Sequence, residues 1–228
     1  MTLENLASNV WYIEHPMKVF GAEFGTRTTI LGLSSGKLAI HSPGPLTQEH
    51  VAEIEGLGEV GYVISPSLMH HLFLRKAAEL WPDARVFVPR GLMEKIGDVP
   101  RAEVMESDGD IEGEIFWVRA AGMPMVNEHV FYHQPARTVI ITDLIFNFRD
   151  HPQWWLRTFM TLNKAYGQPL ASRLLRTAIK RPERLRESLE TVMSWEWDAL
   201  GLCHGHPIPR GGYEAFQKAY GFILEGKS

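Results

Sequence analysis

The sequence has little of what marks several large classes of protein. Its 228 residues include a single cysteine, Cys203, so no disulfide can form within the chain, as is typical of proteins from reducing compartments. No run of about 18 apolar residues occurs, and residues 1–16 lack a basic start followed by an apolar core. The formal net charge is -4, so the chain offers no overall basic surface to nucleic acid. We therefore expect a soluble, cytoplasmic protein that does not bind nucleic acid.

The composition indicates a chain that can bury a large core. Hydrophobic residues make up 45% of the sequence and aromatic residues 11%. No repeat, low-complexity tract or linker rich in proline and glycine divides the chain. We therefore expect a single domain over residues 1–228.

Strand-like and helical patterns alternate twice along the chain. The first round predicts strands at residues 9–13, 27–31, 37–40, 61–64 and 85–88, a helix capped by Thr47 and a helix at 71–80. The second predicts strands at 114–119, 129–133, 138–142 and 199–203, with helices capped by Asp150, starting near Pro182, and at 213–224. This order predicts an α/β fold of two packed sheets with helices outside.

Polar side chains follow three of the predicted strands. His70 and His71 come after the strand at 61–64, Asp143 after the strand at 138–142, and His204 near the end of the strand at 199–203. Because sheet-based folds place ligands on the loops that leave their strands, we expect these groups to converge on one site.

Four phrases of the sequence resemble a known family. They are His41-Ser42-Pro43, Ser65-Pro66 with His70-His71, the segment 128–133 (EHVFYH) and the segment 137–147 (RTVIITDLIFN). Together with the order of elements over about residues 9–210, they resemble the metallo-β-lactamase fold, and more closely its uncharacterised DUF4336 branch. The resemblance implies a four-layer αβ/βα sandwich with a helical insert near residues 150–197. Because fold does not determine function, it implies less about chemistry.

The resemblance also implies that the metal site is degenerate. Active relatives carry a His-x-His-x-Asp-His motif; here Pro66, Leu68 and Met123 fall where the ligands of the first metal would be. Proline and leucine offer no side-chain lone pair, and methionine is a soft thioether, so this site is predicted to be absent. The second site keeps a predicted ligand set for zero or one ion, zinc or iron: His70, His71, Asp143 and His204.

Three further residues are candidates for orienting a ligand or contacting substrate. His41 ends a strand and is either such a residue or a turn residue. Glu128 lies near Met123 and either replaces the lost ligand or is a solvated strand residue. His206 is an alternative to His204, although the rigid loop after it favours only one inward histidine. Cys203 is a thiolate or a small buried hydrophobe. The whole set is either a metal site or a polar network without metal.

The helical insert bears on whether the protein is cytosolic or associated with a membrane. Its arginines and upstream tryptophans are typical of a helix on an anionic membrane, but Glu183, Glu187 and Glu190 interrupt the basic run. We expect the stripe of Trp155, Phe159 and Tyr166 to pack in the core or at a homodimer contact, and we expect no membrane binding. The sequence thus favours at most a single-metal hydrolase of a small molecule. The alternatives are a non-catalytic binding or scaffold protein and a peripheral membrane protein; the catalytic residues, the substrate and the pathway are not specified.

Overall fold

The computed structural model describes residues 3–19 and 21–225. The strands within these ranges are β1 Glu4–Ala7, β2 Val10–His15, β3 Lys18–Val19, β4 Ala22–Glu23, β5 Thr26–Gly32, β6 Lys37–His41, β7 Glu59–Ile64, β8 Arg85–Pro89, β9 Ala102–Met105, β10 Asp108–Ile111, β11 Ile115–Arg119, β12 His129–His133, β13 Thr138–Ile141 and β14 Ala199–Leu202. The helices are α1 Gln48–Glu55, α2 Leu74–Leu80, α3 Leu92–Ile96, α4 Trp154–Leu162, α5 Arg173–Thr177, α6 Pro182–Ser194 and α7 Gly212–Leu224. No helix in the described ranges is long and apolar enough to cross a bilayer.

Two sheets form the centre of the molecule. The first has the strand order β1-β2-β5-β6-β7-β8-β9, antiparallel from β1 to β6 and parallel from β6 to β9. The second has the order β10-β11-β12-β13-β14, and only β13 and β14 are parallel. Strands β3 and β4 form a separate hairpin. The parallel strands β7, β13 and β14 are those whose carboxyl ends lead to the candidate ligands.

Three apolar layers hold the sheets and helices together. Between the sheets, Ile64 and Phe87 of the first sheet pack with Phe131 and Ile140 of the second. A second cluster joins the outer face of the first sheet to α1, α2 and α3, and a third joins the second sheet to α6 and α7. The molecule is therefore a four-layer αβ/βα sandwich, which confirms the predicted fold class.

Local sequence signals position several helices as expected. Thr47 caps α1: its Oγ1 accepts a hydrogen bond from the His50 backbone nitrogen at 3.2 Å, and the His50 ring accepts one from the Thr47 nitrogen. Pro182 is the first residue of α6, where its missing N–H costs nothing. Helix α2, in contrast, begins at Leu74 rather than at residue 71, so the two adjacent histidines lie in an irregular turn between β7 and α2.

Helix α4 differs from the prediction in both its cap and its buried face. Gln153, not Asp150, precedes the helix, and Asp150 has a left-handed φ of 49°. The helix buries Leu156 and Met160, while Trp155 and Leu162 are 45% and 68% exposed. Of the expected stripe, Phe159 and Tyr166 pack against the cluster that contains Leu156 and Met160, whereas Trp155 does not, and a homodimer contact for Trp155 stays a prediction.

Candidate metal centre

Three side chains from three strand ends meet at the edge of the sandwich. His70 follows β7, Asp143 follows β13 and His204 follows β14, and one donor atom of each lies within 4.8 Å of the others. The two histidine Nε2 atoms are 3.3 Å apart. Asp143 approaches His70 Nε2 at 3.4 Å through Oδ2 and His204 Nε2 at 3.6 Å through Oδ1. Two imidazole nitrogens and one carboxylate thus face a common point.

The hydrogen bonds behind the two rings set which nitrogen faces that point. His204 Nδ1 lies 2.7 Å from the carbonyl oxygen of Gly25. Because a carbonyl oxygen can only accept a hydrogen bond, Nδ1 carries the proton, and Nε2 of the neutral ring presents a lone pair. His70 Nδ1 lies 2.8 Å from Ser42 Oγ, which can accept its proton in the same way. Both neutral rings then direct lone pairs at one another, and this arrangement is stable only with a cation or a proton between them.

The segment around His70 is fixed by serines. Ser67 Oγ accepts hydrogen bonds from the backbone nitrogens of Met69 and His70, each at 3.2 Å, and Ser65 Oγ donates to the His70 carbonyl at 2.9 Å. Ser42 has a left-handed φ of 54°, which is unusual for a residue with a Cβ. Strain of this kind persists where the surrounding structure requires it, often at functional sites.

Glu128 supports the third member of the cluster. Its side chain is fully buried, and its two oxygens accept hydrogen bonds from the backbone nitrogens of Thr142 at 2.5 Å and Asp143 at 3.0 Å. Burial, followed by the nearby Asp143 carboxylate, raises the pKa of Glu128 to about 7. The alternative of a solvated strand residue was therefore wrong. Glu128 holds the Asp143 backbone; the sequence analysis named it as a candidate for orienting a ligand but did not give this partner.

The charges in the cluster are strongly coupled. Burial by itself would lower the pKa of His70, but Asp143, and after it Cys203, outweighs burial and raises that pKa well above its ordinary value. Burial would raise the pKa of Asp143, yet His70 and His204 hold it well below its usual range. Without a metal, the site is thus an ion pair of protonated His70 and ionised Asp143.

His71 lines the same cavity but does not belong to the cluster of three. Its ring is partly buried, and burial, followed by the charge of Lys95, lowers its pKa. Because residues 71–73 are not yet helical, the chain turns between His70 and His71 and directs only the first toward Asp143. Of the four predicted ligands, the structure brings His70, Asp143 and His204 into one cluster and leaves His71 outside it, and metal binding by the set stays a prediction.

His204 and His206 lie on opposite sides of a tight turn. His204 is 3% exposed and faces the cluster, whereas His206 is exposed and its Nε2 lies 3.3 Å from the carbonyl of Arg149. Gly205 between them has a φ of 79°, and a Cβ there would lie 2.3 Å from the Asn147 carbonyl oxygen. Only glycine allows this close approach. Cys203, just before the turn, is buried, and its Sγ is 3.5 Å from the Arg27 carbonyl.

His41 is fully buried at the end of β6. Neither of its ring nitrogens has a hydrogen-bond partner among the described residues, and the ring packs edge-on against Phe131 at 4.9 Å. Burial, with a contribution from His70, lowers its pKa to about 3. The alternative of an ordinary turn residue does not describe it: His41 is a neutral ring enclosed beside the cluster.

Comparisons with known proteins agree with this architecture. Residues 7–95 match the family model described as a domain of unknown function, DUF4336. The structure is similar to that of TMB-1, with 12% identity, a TM-score of 0.66, and coverage of 99% of this chain and 98% of that one. The chain has the metallo-β-lactamase fold. The DUF4336 model covers the part of the chain that contains Ser42 and His70.

Other structures with the metallo-β-lactamase fold are equally distant in sequence. The metallo-β-lactamase FIM-1 from Pseudomonas aeruginosa, solved in its mono-zinc form, has 10% identity and a TM-score of 0.64, with coverage of 99% of this chain and 95% of that one. The metal-soaked Flv1 flavodiiron core from Synechocystis sp. PCC6803 has 12% identity and a TM-score of 0.67; the match covers 98% of this chain and 60% of that one. A search of curated proteins finds no match.

The three residues that the resemblance assigns to a first metal, Pro66, Leu68 and Met123, lie beside the segment that leads into β12. Met123 is 1% exposed and belongs to the core on the outer face of the second sheet. The backbone of Pro66 and Leu68 pairs with the segment leading into β12: His129 donates to the Pro66 carbonyl, and Leu68 donates to that of Val126. None of these three side chains offers a nitrogen or oxygen donor, so the absence of a first metal site stays a prediction from the sequence.

The remaining cluster fits a single transition metal. Two imidazole nitrogens and a carboxylate oxygen suit zinc or ferrous iron, and three protein ligands leave a coordination position open. Each ligand has a supporting partner: Ser42 for His70, Gly25 for His204 and Glu128 for the Asp143 backbone. Such partners orient ligands and are a regular feature of protein metal sites.

Proposed function

We propose that the protein holds one zinc or iron ion and hydrolyses a small molecule. The observation that carries the proposal is the pair of Nε2 atoms 3.3 Å apart beside the Asp143 carboxylate, with the opposite nitrogen of each ring engaged by an oxygen. Two ring lone pairs that face each other need a cation or a proton between them, and an ion at this point would also meet the Asp143 carboxylate. The likeness to metallo-β-lactamase-fold hydrolases supports the same reaction class by analogy.

The residues of this chain would have separate roles in such a reaction. His70, His204 and Asp143 would hold the ion, and Glu128 would fix the position of Asp143 through its backbone nitrogen. When bound, the ion would supply Lewis acidity and lower the pKa of water toward neutrality. Because Pro66, Leu68 and Met123 provide no second site, the reaction would proceed without a second cation to stabilise the leaving group.

Metal content and turnover test this proposal together. The purified protein would be stripped, loaded with zinc or ferrous iron, dialysed and analysed for metal, and then assayed on ester, lactone and phosphodiester substrates with and without chelator. We expect one ion per chain, and turnover that chelation abolishes and zinc restores. The matched variant is Asp143→Asn, which keeps the shape and loses the charge. Two tightly held ions per chain, or a metal content of the wild type equal to that of Asp143→Asn, would refute the proposal.

A second candidate is a non-catalytic binding protein that uses the same cleft. The ion pair between His70 and Asp143 favours it, because this pair satisfies the buried charges without a metal. In that case the stripped protein keeps its full thermal stability, and added zinc does not raise the melting temperature. A bound ion would raise it, because a ligand that binds only the native state stabilises that state.

A further inference from the structure

A cavity of about 470 Å³ opens onto the cluster of His70, Asp143 and His204. This volume lies in the range of roughly 300–1,000 Å³ that is usual for small-molecule sites. Its remaining walls are mostly apolar and include Phe24, Leu72, Phe146, Phe159, Met160 and Leu174. The cavity therefore has a polar end at the cluster and apolar walls elsewhere.

The apolar walls continue to the protein surface. Leu72 is 72% exposed and Leu174 is 62% exposed, although both line the cavity, while Met160 in the same wall is buried. Isolated exposed leucines are common, but a group that lines one cavity marks a surface that an apolar ligand covers.

The fixed charges of the cavity favour an anion. Among its described lining residues, the carboxylate of Asp143 and the ammonium group of Lys95 are the fixed charges. Asp143 is paired with His70, whereas Lys95 Nζ donates to the Leu68 carbonyl at 2.6 Å and forms no ion pair in the described part of the chain. A ligand carboxylate near Lys95 would therefore gain an attraction that no protein group uses.

We propose that this cavity binds a medium-chain aliphatic carboxylate, or the acyl ester from which hydrolysis releases it. The polar head lies between the cluster and Lys95, and the chain lies along Phe159, Met160 and Leu174. The inference deepens the proposed hydrolase and rests on it for the reaction. In that reaction water adds to the ester carbonyl carbon, the bond from this carbon to the alkoxy oxygen breaks, and the alkoxide takes the proton that the water loses. Binding of the carboxylate needs no turnover.

Calorimetric titration with hexanoate, octanoate and decanoate tests the binding step on metal-free and zinc-loaded protein. If the chain lies against apolar walls, each added methylene should strengthen binding about fourfold, so each step of two carbons should lower Kd by roughly 15-fold. We expect one ligand per chain. Lys95→Ala should weaken octanoate but leave the neutral 1-octanol unchanged, because only the carboxylate contacts the ammonium group.

Matched surface variants distinguish binding in the cavity from nonspecific hydrophobic binding to the protein surface. Leu72→Asp and Leu174→Asp place a carboxylate on the wall and should weaken octanoate at least tenfold. Met125→Asp is the control, because Met125 is 69% exposed but does not line this cavity. All three sites are on the surface, so the fold should persist, and melting temperatures check this.

The outcomes distinguish this inference from the proposed hydrolase. Chain-length dependence in a protein that holds no metal would support the inference and refute the hydrolase. One bound zinc ion, together with a carboxylate affinity that does not depend on chain length, would refute the inference and support the hydrolase. Equal losses in Leu174→Asp and Met125→Asp would overturn the inference. The inference would also be overturned if octanoate did not bind and the protein instead sedimented with phosphatidylglycerol vesicles in a way that Leu72→Asp abolished. The apolar wall would then be a membrane contact.

Discussion

Two halves of the same strand-end region differ in the metal-donor atoms that their side chains offer. On one side, His70, Asp143 and His204 lie together, and each is held by a hydrogen-bond partner. On the other side, Pro66 and Met123 stand where the resemblance places ligands; Met123 packs in the core on the outer face of the second sheet, and the Pro66 carbonyl accepts a hydrogen bond from His129. Among the residues that the resemblance assigns to two metal ions, the structure brings His70, Asp143 and His204 together as a donor set, and it does not bring Pro66, Leu68 and Met123 into that set.

Glu128 links the two halves. It lies in the chain shortly after Met123, yet its carboxylate holds the backbone nitrogens of Thr142 and Asp143. A buried carboxylate requires such partners, since an unpaired one would be costly. Glu128 therefore connects the segment after Met123 to the residue that supplies the carboxylate of the cluster.

The largest expected effect tests whether the retained half is the metal site. Asp143→Ala and His204→Ala should each abolish zinc binding, because they remove one of only three ligands, whereas His71→Ala should leave one ion bound. Calorimetric titration with zinc, together with elemental analysis, measures this. If His71→Ala lost the ion and His204→Ala kept it, the cluster would have been assigned to the wrong histidines.

The next effect concerns the link between the halves. Glu128→Ala leaves two buried N–H groups without acceptors, so we expect a loss of about 2–5 kcal/mol in the free energy of unfolding. Met123→Leu on the same side conserves volume and should cost less than about 1.5 kcal/mol. Urea unfolding in the metal-free state measures both. Equal, small losses would mean that Glu128 does not brace Asp143.

A smaller effect is expected from the support of a single ligand. Ser42→Ala removes the oxygen that engages His70 Nδ1, and loss of such a partner usually weakens metal binding by about 10–100-fold. Thr47→Ala is the matched control: it removes the α1 cap and should cost about 1 kcal/mol in stability without changing zinc affinity. A Ser42→Ala protein with unchanged zinc affinity would show that the Ser42 contact does not orient the ring.

Sequence patterns predicted nine of the fourteen described strands, the Thr47 cap and the convergence of three strand ends, because these follow from local periodicity and from sheet geometry. They missed the short strands β1, β3, β4, β9 and β10, whose two to four residues carry little periodicity. They did not separate His70 from His71, since both lie in an irregular turn where no period fixes side-chain direction. They named Glu128 as a candidate for orienting a ligand but not its partners, because these are backbone groups 14 and 15 residues away. In α4 two apolar sets had helical spacing, and only tertiary packing selected Leu156 and Met160.

The smallest expected effect concerns His41, which lies beside His70 and packs against Phe131 of the inter-sheet core. Burial lowers its pKa to about 3, against about 6.5 in the unfolded chain. Between these values the unfolded state binds a proton that the folded state does not, so stability falls as the pH drops below about 6.5 and continues to fall to about 3. The slope from this group approaches about 1.4 kcal/mol per pH unit.

His41→Leu should therefore flatten the acid side of the stability profile. From pH 7.5 to pH 5 the variant should lose about 2 kcal/mol less than the wild type, because the proton uptake of one unfolded-state histidine is gone. His15 and His129, whose pKa values burial lowers to about 4, are present in both proteins and cancel in the difference. Urea unfolding at half-unit pH steps measures the profile. Parallel profiles would mean that the pKa of His41 is the same in the folded and the unfolded protein, so that His41 takes up its proton in the folded state as well.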